Sequence, residues 1–107
     1  MTTTGTGSLH PDPAELVAAA VRAVPGVVRL DGGVLGEVAT HLPGRRVVGV
    51  RTGDRGTEVH LVADQDRDLR DVAERVHREV AGLVPGPVHV YIDDVAPAAA
   101  SAWTEEL

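Results

Sequence analysis

His60 and His89 are the residues of this sequence whose type and spacing come nearest to chemistry. Each stands in a stretch of alternating apolar and polar residues, so each reads as an outward position on a strand. If those strands pair, two imidazoles become neighbours, and Glu58 or Asp93 could add an oxygen ligand. That is half of a zinc site. Two solvated surface histidines account for the same pattern more simply. His10, His41 and His77 have no partner at ligand spacing.

Other constellations fall short of a mechanism. Asp64-Gln65-Asp66-Arg67-Asp68 begins like a calcium loop, but the glycine and the closing glutamate that such a loop needs are replaced by Leu69 and Arg75. A capped helix start explains these carboxylates better. Gly53-Asp54-Arg55-Gly56 matches the GXXG of nucleic-acid-clamping KH loops. That loop joins two helices, whereas the flanking residues here alternate as strands, so a hairpin turn is expected. Ser8 and Ser101 are the only serines and lie in terminal segments, poor ground for a triad. Asp93 and Asp94 are adjacent on a strand and so should leave opposite faces, unlike a carboxylate dyad that shares a proton. No glycine loop precedes a helix in the manner of a phosphate site. Trp103, the sole tryptophan, precedes Thr104-Glu105-Glu106-Leu107, and Trp103 with Leu107 could form a docking peptide.

These residues need elements to hold them. Asp12-Pro13-Ala14-Glu15 has the form of a capping box, and Leu16, Val17, Ala20, Val21 and Val24 follow at helical spacing. Pro25-Gly26 ends that helix, and Val27 to Leu30 reads as a short strand closed by Asp31-Gly32-Gly33. Val34 to Leu42 is ambiguous: Val34, Leu35, Val38 and Leu42 could line a short helix, which Gly36 weakens. Arg46 to Thr52 and Thr57 to Ala63 read as a hairpin. Within the second strand Val59, Leu61 and Ala63 should point one way, and Glu58, His60 and Val62 the other. Asp66 to Gly82 reads as a helix with Leu69, Val72, Ala73, Val76, Val80 and Leu83 on one stripe. Asp71/Arg75, Glu74/Arg78 and Arg75/Glu79 sit at pairing distance on its wet side. A last strand places Val88, Val90 and Ile92 inward, with His89, Tyr91 and Asp93 outward.

This order predicts an α+β, two-layer sandwich: a small, mostly antiparallel sheet of three to four strands with two main helices on one face. The other face would display Glu58, His60, His89, Tyr91 and Arg51. Residues 1–10, rich in Thr and Gly, are expected to be unstructured, 11–95 to form one domain, and 96–107 to be a flexible Ala-rich tail.

Composition narrows the function classes. The chain has 107 residues, a net charge of −6 and 2% aromatics, so valine, leucine and alanine must pack the core. All ten basic residues are arginine, as in high-GC bacterial coding. The acidic balance argues against nucleic acid and against docking on anionic lipid. Without cysteine there is no disulfide, thiolate metal site or thiol nucleophile. No apolar run approaches the roughly 20 residues needed to span a bilayer. Met1 to Ser8 lacks the basic and apolar regions of a signal peptide, so a cytosolic location is expected.

One resemblance carries a functional expectation. The Val24-Pro25-Gly26-Val27 turn, Leu30, Gly32-Gly33, the Val/Leu hairpin, the helix ending Arg78-Glu79-Val80-Ala81-Gly82-Leu83 and the Val88 to Val95 strand stand in a characteristic order. In that order the chain resembles the alkaline-shock, envelope-stress-response (YloU-like) family of Gram-positive bacteria, over about Leu16 to Val95. It departs from the family's pattern at Asp64-Gln65-Asp66, where an aromatic-glycine step is usual, and at His89, where Asn is usual. The resemblance implies a non-enzymatic cytoplasmic scaffold without cofactors, self-associating with itself and related members. It further implies recruitment to the inner face of the membrane by a small anchor protein, with no direct membrane insertion and no nucleic acid. The interaction residues are then expected among Glu58, His60, His89, Tyr91, Trp103 and Leu107. The alternative is a small ligand- or metal-binding module using His60, His89 and Tyr91, or, further off, a KH-like nucleic-acid binder.

Overall fold

The computed structural model describes residues 12–98, so what was expected of 1–10, Ser101, Trp103 and Leu107 lies outside the described residues. Helix α1 spans Pro13–Arg22. Its start is fixed as the sequence implies: Asp12 accepts from the Ala14 N–H at 2.8 Å, and Glu15 accepts from the Asp12 N–H at 3.3 Å. Two backbone donors that the first turn cannot use are thereby satisfied. Strand β1 (Val27–Leu30) follows as expected.

The ambiguous stretch is not helical. After a tight turn at residues 33–36, where the Gly36 N–H donates to the Gly33 carbonyl, the chain forms β2 (Ala39–Leu42). This strand pairs antiparallel with β3 (Arg45–Val48) around Pro43-Gly44, making a separate two-stranded sheet. A single strand over Arg46 to Thr52 is therefore also corrected. It breaks at Gly49, and β4 (Val50–Gly53) joins the main sheet instead. The cause is steric. Gly49 sits at φ +87°, and a Cβ there would lie 2.9 Å from Leu30 Cβ and 3.0 Å from the His60 carbonyl oxygen. Only glycine allows the backbone to cross at that point.

The main sheet is organised around β5 (Gly56–Asp64). Along one edge β4 pairs with its first half and β1 with its second half, both antiparallel. At the seam the His60 N–H donates to the Gly49 carbonyl, and the Asp31 N–H donates to the His60 carbonyl. The other edge carries β6 (Val88–Ala96), parallel to β5 and reached through helix α2 (Leu69–Ala81). A parallel neighbour requires such a crossover. Asp68 caps α2 by accepting from the Arg70 and Asp71 N–H groups, and Asp64 accepts from the Asp66 N–H in the turn before it. Of the i,i+4 pairs read from the sequence, Arg75 and Asp71 approach to 3.6 Å.

The architecture is α+β, with the two helices packed on one face of the four-stranded sheet. Val17 and Val21 of α1 and Val72, Val76 and Val80 of α2 meet Val59, Leu61 and Ala63 of β5 in a single core. The alternation expected for β5 holds, since Val62 is buried but stands apart from that core. Three residues of the helical stripes do not bury: Leu16, Leu69 and Leu83 are each more than a third exposed. Leu69 and Leu83 flank the buried run of Val72, Val76 and Val80 at its two ends. Arg45 Nε and Glu15 Oε2, 2.6 Å apart, tie the β2–β3 hairpin to α1.

Candidate functional site: the outward sheet face

The outward face is built by the register of β5 and β6. Glu58 stands opposite His89, and His60 opposite Tyr91. Since His60 and His89 are staggered along paired strands, each faces a different partner. After Leu61 the register slips, and Asp93 is the extra residue of a β-bulge. The strict alternation expected across Asp93-Asp94 is broken there, as bulges do when they re-aim a side chain.

That re-aiming has a clear product. Asp93 Oδ2 lies 2.9 Å from His60 Nδ1, while the Tyr91 and His60 rings stack at 4.5 Å with 23° between their planes. On the other side, His60 Nε2 approaches Glu58 Oε1 at 3.4 Å without hydrogen-bond alignment and has no other partner. Arg51 of β4 donates to the same Glu58 oxygen at 3.0 Å. Partial burial alone would raise the Glu58 pKa. The Arg51 hydrogen bond and charge, helped by His60, outweigh it and hold this carboxyl below its ordinary value.

Two shallow grooves flank this cluster. One, of about 370 Å³, runs along the hairpin turn between Arg51, Arg55, Glu58, His89 and Tyr91. The other, of about 340 Å³, lies under the 32–38 loop, against Arg51, His60 and Asp93. This loop carries Val34 and Leu35, which are 98% and 79% exposed. No residue pattern marks the loop as a frame for this face. Val34 and Leu35 look like helix-core residues, and only the glycines on either side hint at a turn.

The structure thus brings Glu58, His60, His89 and Tyr91 onto one surface together with Arg51 and Asp93, both also expected there. Trp103 and Leu107 lie outside the described residues. Among the described residues no group of three or more His, Cys, Asp or Glu is arranged to hold a metal ion. The ligand set imagined around His60 and His89 is not assembled. Gly53-Asp54-Arg55-Gly56 joins two antiparallel strands, with Gly53 opposite Gly56, and not the two helices of a KH clamp. No helix among the described residues is long and apolar enough to cross a membrane. Comparison of the chain with protein-family models, curated proteins and solved structures finds no match.

Proposed function

We propose that this chain is a non-enzymatic scaffold of the envelope-stress-response kind, which self-associates and is drawn to the membrane by a small anchor protein. The reading begins from the order of motifs in the sequence. One structural observation supports it most: the outward face is a fixed polar surface centred on Tyr91, which is 45% exposed and held by its stack on His60. An aromatic fixed in place and half open to solvent is the kind of group around which protein contacts concentrate. The exposed Val34–Leu35 turn beside it supplies apolar area of the same use. His60 and Asp93 form a pair that could orient an imidazole for proton transfer, yet the free ring nitrogen is buried and turned toward Glu58. The test is co-expression with neighbouring genes that encode short membrane-spanning chains, followed by fractionation. Recovery in the membrane fraction only with such a partner is expected; recovery in the soluble fraction under every pairing rejects the reading.

The groove of about 370 Å³ favours a second reading, a module binding a small anionic ligand between Arg51 and Arg55 beside Tyr91. Calorimetric titration with carboxylate and phosphate compounds tests it, and heat of binding lost in an Arg55→Ala variant is the expected signature.

A further inference from the structure

Among the described residues β6 pairs with β5 alone, so one edge of a nine-residue strand carries unpaired backbone groups. Which groups these are follows from the register. The Pro87 carbonyl accepts from the Thr57 N–H, and Glu58 stands opposite His89. In a parallel ladder this turns the N–H and C=O of His89 and Tyr91 toward β5 and those of Val88, Val90 and Ile92 toward the open edge. Natural edges are usually blunted by proline, lysine, a bulge or short length. Between Val88 and Ile92 none of these is present, and the bulge at Asp93 begins only where that run ends.

We infer that a second copy of this chain docks at the β6 edge, antiparallel, with the two-fold axis at Tyr91. Backbone pairing permits that register, and two side-chain pairs select it. Val90 stands opposite Ile92 of the second copy, and both have their amides on the open edge, so each pair exchanges both backbone hydrogen bonds. Tyr91 meets Tyr91 of the second copy at a non-hydrogen-bonded site, where cross-strand side chains approach most closely and aromatic pairs contribute. His89 stands opposite Asp93 of the second copy, at both ends of the ladder. Shifting the pairing by two residues in either direction separates the histidine from the carboxylate. The inner faces then align Val90 and Ile92, both half-buried against the core, so two helix-covered sheets become one continuous sheet.

This inference names the surface for the self-association in the proposed function and rests on that reading only for its purpose, not for its geometry. The experiment is amide exchange of the full chain, read residue by residue from micromolar to millimolar protein, alongside sedimentation. The Val90 and Ile92 amides should become protected as dimer forms, whereas the Tyr91 amide, bonded to β5, is protected throughout. Val90→Pro should abolish the dimer, since it removes a donor that β5 does not use. Because that variant could also lose its fold, His89→Asp and His89→Arg give a second measure. Like charges opposite Asp93 should weaken dimerisation about tenfold, and the arginine should strengthen it, from pair energies of this class. A monomer at every concentration overturns the inference. So does a monomer with Val90 and Ile92 already protected, which would mean that another part of the chain occupies the edge. Assembly with those amides freely exchanging also overturns it, but leaves the scaffold reading intact, which stands or falls on membrane recruitment.

Discussion

His60 Nδ1 and Asp93 Oδ2 lie 2.9 Å apart, a contact that pins the bulge of β6 to the middle of β5. The bulge is what turns Asp93 toward the imidazole, and the imidazole in turn supports the Tyr91 ring. Asp93→Ala should therefore destabilise the domain by about 1–3 kcal/mol, the range for removing a charged partner from a largely buried polar group. Urea denaturation measures the loss. Near-ultraviolet circular dichroism should change as well, because Tyr91 is the one tyrosine and loses its fixed stack.

The Glu58 carboxyl carries a pH dependence of definite sign. Its pKa in the folded chain lies below the ordinary value of 4.5. The stabilisation it brings is therefore complete above that ordinary value and disappears as pH falls through the folded value. A Glu58→Gln variant should be less stable than the parent at neutral pH and should converge on it in strong acid. Urea midpoints taken across the acid range check this.

The two glycines of the β4–β5 turn should respond in opposite ways. Gly56 has φ +113°, and a Cβ there would overlap the Pro87 carbonyl oxygen, whereas a Cβ at Gly53 meets nothing within 4 Å. Gly56→Ala should cost about 2 kcal/mol or more from backbone strain alone. Gly53→Ala should be tolerated. Thermal melts of both variants check this difference.

Burial separates two leucines that look alike in sequence. Leu61 is fully buried and Leu35 is 79% exposed. Leu61→Ala should destabilise by about 2–5 kcal/mol. Leu35→Ala should change stability by no more than about 0.5 kcal/mol, so any effect it has on partner capture is an interface effect. Denaturation and pull-down of the same variants provide both readings.

The local signals in the sequence carried most of the elements. Asp12 and Glu15 cap α1, Val27 to Leu30 is a strand, and the α2 stripe and the β4–β5 turn stand where periodicity puts them. What was not legible depends on distant contacts. Val34, Leu35, Val38 and Leu42 satisfy helical spacing, but the chain uses Val38 and Leu42 against other strands and leaves Val34 and Leu35 in solvent. Gly49 reads as an ordinary strand glycine until Leu30 and the His60 carbonyl are seen pressed against it. The bulge at Asp93 has no local signature at all, so the contact at the centre of the outward face could be drawn only as a guess about nearby oxygen atoms. The polar face itself was legible, because strand alternation alone assigns Glu58, His60, His89 and Tyr91 to it.

One edge of β5 is shared end to end by two short strands, with Gly49 and Asp31 meeting His60 where they abut. A single long strand would transmit any displacement along its whole length; a divided one has a joint. The β4 arm is held at that joint by Val50, which is fully buried in the core, and by the Arg51–Glu58 pair. The hollow beside Tyr91 is therefore bounded on that side by the β4 arm alone, and β1 takes no part in it.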